Sequence, residues 1–282
     1  MDEKEVKLTT ESALSFLREK GYVLWKAPTT SQKAREINVS LSGKRLRFGV
    51  LSDTHLGSQF QQITYLRRFY SICARRGIKI MLHCGDLVDG NGNMYRGQIY
   101  EQFALGADNQ IEYAVNNYPR YKDMTTYALS GNHDASFQTS VGIDVVQSIC
   151  RRRNDMEYLG FGGADIRLMG VPIYLLHCDG GLPYARSYRL QKIVEQFPGG
   201  KKPRILAAGH LHVTDLLPNY RNVMAFLAGA FQSQTPYLRR KGLAPDIGGS
   251  IVEVVVQTGQ DISLASIRYE WIPFYDPIEN DY

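Results

Sequence analysis

The 282-residue chain has six histidines, at 55, 83, 133, 177, 210 and 212, and five of them stand where a strand-like run ends. "LSDTHLG" closes the first such run with Asp53 and His55. "HCGDLVD" sets Asp86 and Asp89 after the second, and "SGNHD" sets Asn132 and His133 after the third. "YLLHCD" ends on His177, and "AAGHLH" offers His210 and His212. Each segment alone is ordinary, because Asp, Asn and Gly are turn-forming residues. Together they assemble imidazole, carboxylate and amide donors without a thiolate, a set that suits Mn, Fe or Zn, with Co or Ni also accommodated. The donors are too many for one ion. Two ions about 3.5–4 Å apart would polarise a phosphoryl group, generate hydroxide and stabilise an in-line displacement.

Such donors meet only if the strands carrying them lie side by side and point the same way. From residue 45 the pattern supports this. "RLRFGVLSD" alternates apolar residues at 46, 48 and 50, and "ITYLRRFYSICARRG" places Ile63, Leu66, Phe69, Tyr70 and Cys73 at helical spacing before Gly77. "IKIMLHC" and "TTYALS" are further strands, and "VGIDVVQSICRR" is a helix. The runs "ADIRLMGVPIYLLH", "RILAAGH", "VMAFLAG", "GSIVEVVVQ" and "ISLASIRYEW" complete a strand-rich second half. Early βαβ alternation followed by many strands predicts an α/β protein with mixed sheets. In α/β sheets ligands collect beyond the carboxyl ends of the strands, so the five segments converge on one site. His83, inside an apolar strand, is expected to be a paired core residue.

Three stretches flank or interrupt this pattern. Residues 1–45 predict a helical appendage and linker, with "TESALSFLREK" as a capped helix followed by "YVLW". Residues 46–271 form the main domain, broken by a Tyr-, Asn- and Gln-rich insertion at 90–124 with two helical segments. Residues 272–282 are an acidic, aromatic tail. Residues 1–47 hold ten Lys/Arg against six Asp/Glu, and the last twelve hold none against three, so the mild net charge of +5 is concentrated near the N-terminus. That distribution is compatible with a polyanionic partner. No apolar run is long enough for a membrane span. The charged start lacks a signal-peptide core, and the four cysteines form no CxxC pair, which predicts a cytoplasmic protein with reduced thiols.

The ordered blocks DxH, GDxxD, GNHD, H and GHxH resemble the calcineurin-like metallophosphoesterase superfamily over roughly residues 46–256. The resemblance implies a four-layer αββα sandwich of two mixed sheets with flanking helices. It also implies two divalent metal ions, Mn first and Zn, Fe or Co as alternatives. Asp53, His55 and His212 would bind one ion, and Asn132, His177 and His210 the other, with Asp86 bridging. His133 would be the catalytic acid or transition-state stabiliser, with Asp89 orienting and charging it. Gly131 would permit a tight turn, and Asp134 would hold the turn.

"SDTHLGS" and "GNHD" are similar to the nuclease subunits of double-strand-break repair complexes, although Asp89 stands where those carry His. The Arg that protein phosphatases of the superfamily carry after "GDxVD" is missing. The expectation is therefore a phosphodiesterase acting on DNA, RNA or a nucleotide by attack of a metal-bridging hydroxide. The alternatives are a small-molecule phosphomonoesterase and a non-catalytic scaffold. Features that favour nucleic acid are the insertion's Tyr95, Arg96, Tyr100, Tyr113, Tyr118, Arg120 and Tyr121 and the run "YLRRKG" at 237–242. The tyrosines serve equally well as core residues.

Overall fold

Strand β2 (Arg45–Leu51) shows why the sheets form: its first residues alternate between exposed and buried, and its last four are buried on both faces. It is the third strand of a six-stranded sheet. The computed structural model describes residues 35–37, 44–258 and 262–282, all within one unit, Lys33–Tyr282. In sheet one, β2 is followed by β3 (Ile80–His83), β4 (Thr125–Ser130) and β5 (Met156–Phe161), all parallel. On its other side lie β11 (Gly248–Thr258) and β12 (Ile262–Pro273), each antiparallel to its neighbour. Sheet two runs β1 (Arg35–Ile37), β6 (Gly163–Leu168), β7 (Val171–His177), β8 (Ile205–Gly209), β10 (Val223–Ala228) and β9 (Thr214–Tyr220). Here β7, β8 and β10 are parallel.

Side-chain alternation makes the layers. In β8, Ile205 and Ala207 face sheet one, where Phe48, Val50, Leu82 and Leu129 await them. Leu206 and Ala208 face outward onto Leu190 and Val194 of helix α5 (Ser187–Gln196). With both faces covered, a continuous apolar run such as "ILAAG" is what a strand needs. Sheet one is covered on its outer face by α1 (Ile63–Arg75), α2 (Ala107–Asn117) and α4 (Val145–Arg152), through Leu66, Phe69, Ile111, Ala114, Val146 and Ile149. Helix, sheet, sheet, helix is the four-layer α/β sandwich of mixed sheets.

Several local features differ from the sequence pattern. The run at 164–177 is two strands: Met169 and Gly170 both take positive φ (52° and 77°), the conformation of a tight two-residue hairpin, and β6 pairs antiparallel with β7. Residues 35–37, within the stretch expected to be a connector, add β1 to the edge of sheet two. Strands β5 and β9 were not legible either, because half-exposed "TDLLPNY", with Pro218 on an edge, carries little apolar signal. The helix predicted from Val141 starts at Val145, where the Asp144 carboxylate accepts the Gln147 amide and caps it. In the insertion, Gln98–Glu101 is a single 3₁₀ turn and Ala107–Asn117 is α-helix. The predicted helix in "TESALSFLREK" and the strand in "YVLW" lie outside the described residues. All four cysteines are free. Among the described residues no helix is long and apolar enough to cross a membrane.

Candidate metal centre

Every donor segment leaves its strand at the same edge of the sandwich, since β2, β3 and β4 are parallel in sheet one, and β7 and β8 in sheet two. Five donors, Asp53, His55, Asp86, His210 and His212, sit at positive φ between 43° and 87°. A non-glycine residue in that region costs about 1–3 kcal/mol and persists only where its surroundings enforce it. Here the left-handed kinks turn consecutive side chains of DxH and GHxH toward one point. Backbone bonds lock the two exits of sheet one together, Asp53 N–H to Gly85 O (3.0 Å) and Leu56 N–H to Leu87 O (3.0 Å).

Two glycines allow the close approach. A Cβ on Gly85, whose φ is +100°, would fall 2.4 Å from His177 Nδ1. A Cβ on Gly131 would fall 2.2 Å from Asp86 Oδ1. Gly131 itself has φ −97° and ψ −170°, which any residue adopts, so the tight turn expected there is not the reason for glycine. Space is. Helix α3 (Asn132–Val141) begins at the motif, and the Asp134 carboxylate accepts the amides of Gly131 (2.8 Å), Leu87 (3.1 Å) and Val88 (2.9 Å).

The donors fall into two groups. His55 Nε2 lies 3.1 Å from His212 Nε2 and 3.9 Å from Asp53 Oδ1, and His212 Nε2 lies 3.3 Å from Asp53 Oδ1. His177 Nε2 lies 3.1 Å from Asp86 Oδ2 and 2.9 Å from Asn132 Oδ1, which is 2.8 Å from His210 Nδ1. Asp86 Oδ2 also stands 3.9 Å from His55 Nε2, so it borders both groups. Donors held at about 2.1 Å by one ion stand roughly 3.0–3.4 Å apart, and the separations within the two groups, 2.8–3.9 Å, bracket that spacing. The two clusters are thus compatible with a binuclear metal site.

Electrostatics agree with cation binding. Burial raises Asp53 and Asp86, but their histidine neighbours more than reverse this and hold both carboxylates below the usual range. Burial lowers His177, yet the Asp86 carboxylate beside it lifts its pKa to about 10. His177 Nδ1 donates to Cys84 O (2.8 Å), which leaves Nε2 for the cluster. Burial, together with neighbouring imidazoles, lowers His55 and His210.

His133 lies outside these two groups, although its ring joins His55 and Asp89 in a third set of close donors that shares His55 with the first. Its Nδ1 donates to the backbone carbonyl of Asp89 (2.8 Å), and its ring meets that of His55 edge-on at 4.5 Å. The pairing expected between His133 and the Asp89 carboxylate is not what the fold makes. That carboxylate accepts from His55 Nδ1 (3.2 Å) and from the amides of Gln102 (2.8 Å), Gln98 (3.3 Å) and Gln232 (3.3 Å). The glutamines are buried residues that the sequence did not single out. Their only trace was the Gln-rich insertion carrying two of them. His83 is fully buried with both nitrogens paired, to Thr54 Oγ1 (3.1 Å) and to the Gly85 amide (3.2 Å). Of the insertion's tyrosines, Tyr118 is core and bonded to Tyr70, Tyr113 bonds Gln61, and Tyr95 stacks on Tyr237, while Tyr100 is exposed.

No curated protein matches the chain. Among solved structures it is similar to GAP50, the anchor in the inner membrane complex of Plasmodium. That likeness has 11% identity and a TM-score of 0.44, covering 83% of this chain and 86% of that one. It is also similar to nuclease MPE of Pseudomonas putida, at 16% identity, 67% and 76% coverage and a TM-score of 0.35. A phosphatase of Mycoplasma pneumoniae is similar at 12% identity, 84% and 96% coverage and a TM-score of 0.40. The family model for calcineurin-like phosphoesterases matches residues 46–228, a span that contains all five donor segments. The chain belongs to the calcineurin-like phosphoesterase family.

Proposed function

We propose that the protein is a two-metal phosphodiesterase acting on nucleic acid or a nucleotide, with manganese as the first candidate metal. The observation that carries this reading is the pair of donor groups flanking Asp86 Oδ2, with His133 at their border, close to His55 and Asp89 but in neither group. Asp53, His55 and His212 would hold one ion, Asn132, His177 and His210 the other, and Asp86 would touch both. When bound, the ions supply Lewis acidity toward the phosphoryl oxygens and lower the pKa of bound water.

The chain's own residues do the rest. Asp86 Oδ1 takes the His133 amide (2.8 Å), which fixes the start of α3 against the cluster. Because His133 Nδ1–H is engaged by Asp89 O, its Nε2 is the nitrogen left for substrate. There a protonated ring donates to the leaving oxygen. The His55 ring against its edge keeps the imidazole upright.

Replacing His133 by Ala should leave two metal ions per chain and lower turnover of bis(p-nitrophenyl) phosphate by about 10²–10⁴-fold. Unchanged turnover would refute the assignment. Asp86→Asn should lose metal as well as turnover. Running p-nitrophenyl phosphate in parallel separates a diesterase from a monoesterase, and preference for the monoester would overturn the diesterase reading.

A further inference from the structure

At the edge of sheet two opposite the metal centre lies an open cleft of about 1410 Å³. Among the described residues its lining includes Arg167, Lys201, Lys202, Arg204 and Arg221, against one acidic residue, Asp165. The topology explains the gathering. Arg167 lies near the end of β6, antiparallel to β7, while Arg204 and Arg221 stand just before the parallel strands β8 and β10. Lys201 and Lys202 lie in the turn leading into β8, and Lys202 Nζ reaches Arg221 O (3.5 Å) across the floor. Elsewhere Arg76, Arg152, Arg153 and Arg186 are paired with carboxylates. None of the five cleft cations has an acidic partner within 4.0 Å among the described residues. Among the described residues Asp165 and Glu195 offset Arg167 and Arg221 only in part, so the five cations repel one another across the cavity, and an anion entering it relieves that repulsion.

The strand order β6-β7-β8-β10 spreads these charges over three inter-strand steps, about 14 Å. Each strand of a duplex rises about 3.4 Å per phosphate along the helix axis, so the row is long enough to meet several backbone phosphates. Tyr269, the aromatic residue in the lining, is bonded through its hydroxyl to Ser250 and Thr214 and packs on Phe226. Among the described residues no stacking platform for bases is therefore offered. From Arg204 to His210 the chain runs six residues along β8, about 20 Å. We propose that this cleft is an exosite that grips the phosphate backbone of a nucleic-acid strand, without reading its sequence, about 20 Å from the metal centre. The proposal rests on the nucleic-acid side of the preceding reading and not on its chemistry.

The test measures binding of a fluorescein-labelled oligothymidine to the full-length, manganese-loaded His133→Ala protein by anisotropy over a salt series. Adding Lys201→Glu and Arg204→Glu should weaken binding at least about tenfold. Loss of two phosphate contacts on a single strand should also flatten the slope of log K against log salt by about 1.4. In the otherwise natural chain, the same pair should leave bis(p-nitrophenyl) phosphate turnover and the melting temperature unchanged. A control pair, Arg75→Glu with Arg151→Glu, should have little effect on binding. Unchanged affinity and slope, or equal losses in the control pair, would overturn the exosite. If the natural chain fails to hydrolyse the diester, the catalytic reading falls, while the binding series still judges the cleft.

Discussion

His55 and His133 meet ring to edge, yet their nitrogens are claimed by different halves of one residue: the Asp89 carboxylate takes His55 Nδ1, and the Asp89 carbonyl takes His133 Nδ1. A carboxylate on the outer nitrogen fixes the tautomer of a metal-binding imidazole and raises its basicity. Asp89→Asn should therefore weaken metal binding at the Asp53–His55–His212 group about 10–100-fold, measured by titration calorimetry with Mn²⁺. Intact affinity with lost turnover would instead tie the carboxylate to His133. A second prediction concerns His83, whose pKa burial pushes down to about 3, against about 6.5 in an unfolded chain. Between those values the unfolded chain binds a proton that the folded one refuses. Stability thus rises with pH there and is lost as pH falls, by about 1.4 kcal/mol per unit from this residue. His83→Asn keeps an acceptor for the Gly85 amide without titrating, so its urea-derived stability should fall less steeply between about pH 6 and 4. Equal slopes would remove His83 from the account.

At the scale of elements, the exits of β3 and β4 are held together by Asp134, the residue that ends "GNHD". Its carboxylate takes three buried backbone amides, two from the β3 exit and one from Gly131. Asp134→Ala should cost about 3 kcal/mol in urea unfolding, because three N–H groups lose their acceptor in a site that admits little water. A loss under about 1 kcal/mol would mean that the loops hold without it. Gly131→Ala addresses the same junction from the other side. The added methyl meets the Asp86 backbone N at 2.5 Å as well as its carboxylate, so it should lower metal content more than it lowers stability. Asp134 and Gly131 were legible as turn-type residues. Their partners across the junction were not, since they come from 45 to 47 positions earlier in the chain.

At the scale of the whole molecule, the acidic tail closes onto the start of α1. Gln62, the residue before that helix, makes no side-chain cap, and Asp281 supplies it instead. The Asp281 carboxylate accepts the Thr64 amide (2.8 Å) and hydroxyl (2.6 Å). Gln62 pairs with Ile278 in both directions, and Tyr282 stacks on Phe103 of the insertion at 4.8 Å. The tail therefore links α1 to the segment that carries Gln98 and Gln102. Asp281→Ala should cost about 1–2 kcal/mol, as loss of a helix cap does, and lower Tm by roughly 2–8 °C in calorimetry. An unchanged Tm would show that the tail only rests on the surface.

Residue type and chain order alone indicated the α/β class and the edge where the candidate donors emerge. A strand announces itself by its apolar run, and whatever follows it must appear at its carboxyl end. Tertiary structure decided what each donor faces. Spacing says nothing about whether the Asp89 carboxylate or its carbonyl meets His133. That outcome depends on Gln102, 13 residues away, and Gln232, 143 residues away, both brought to Asp89 by packing. The same is true of the basic cleft, whose cations are scattered from 167 to 221 and meet because β6, β8 and β10 place their far ends side by side. Local sequence encodes direction along a strand; only the closed sandwich encodes which side chains become neighbours.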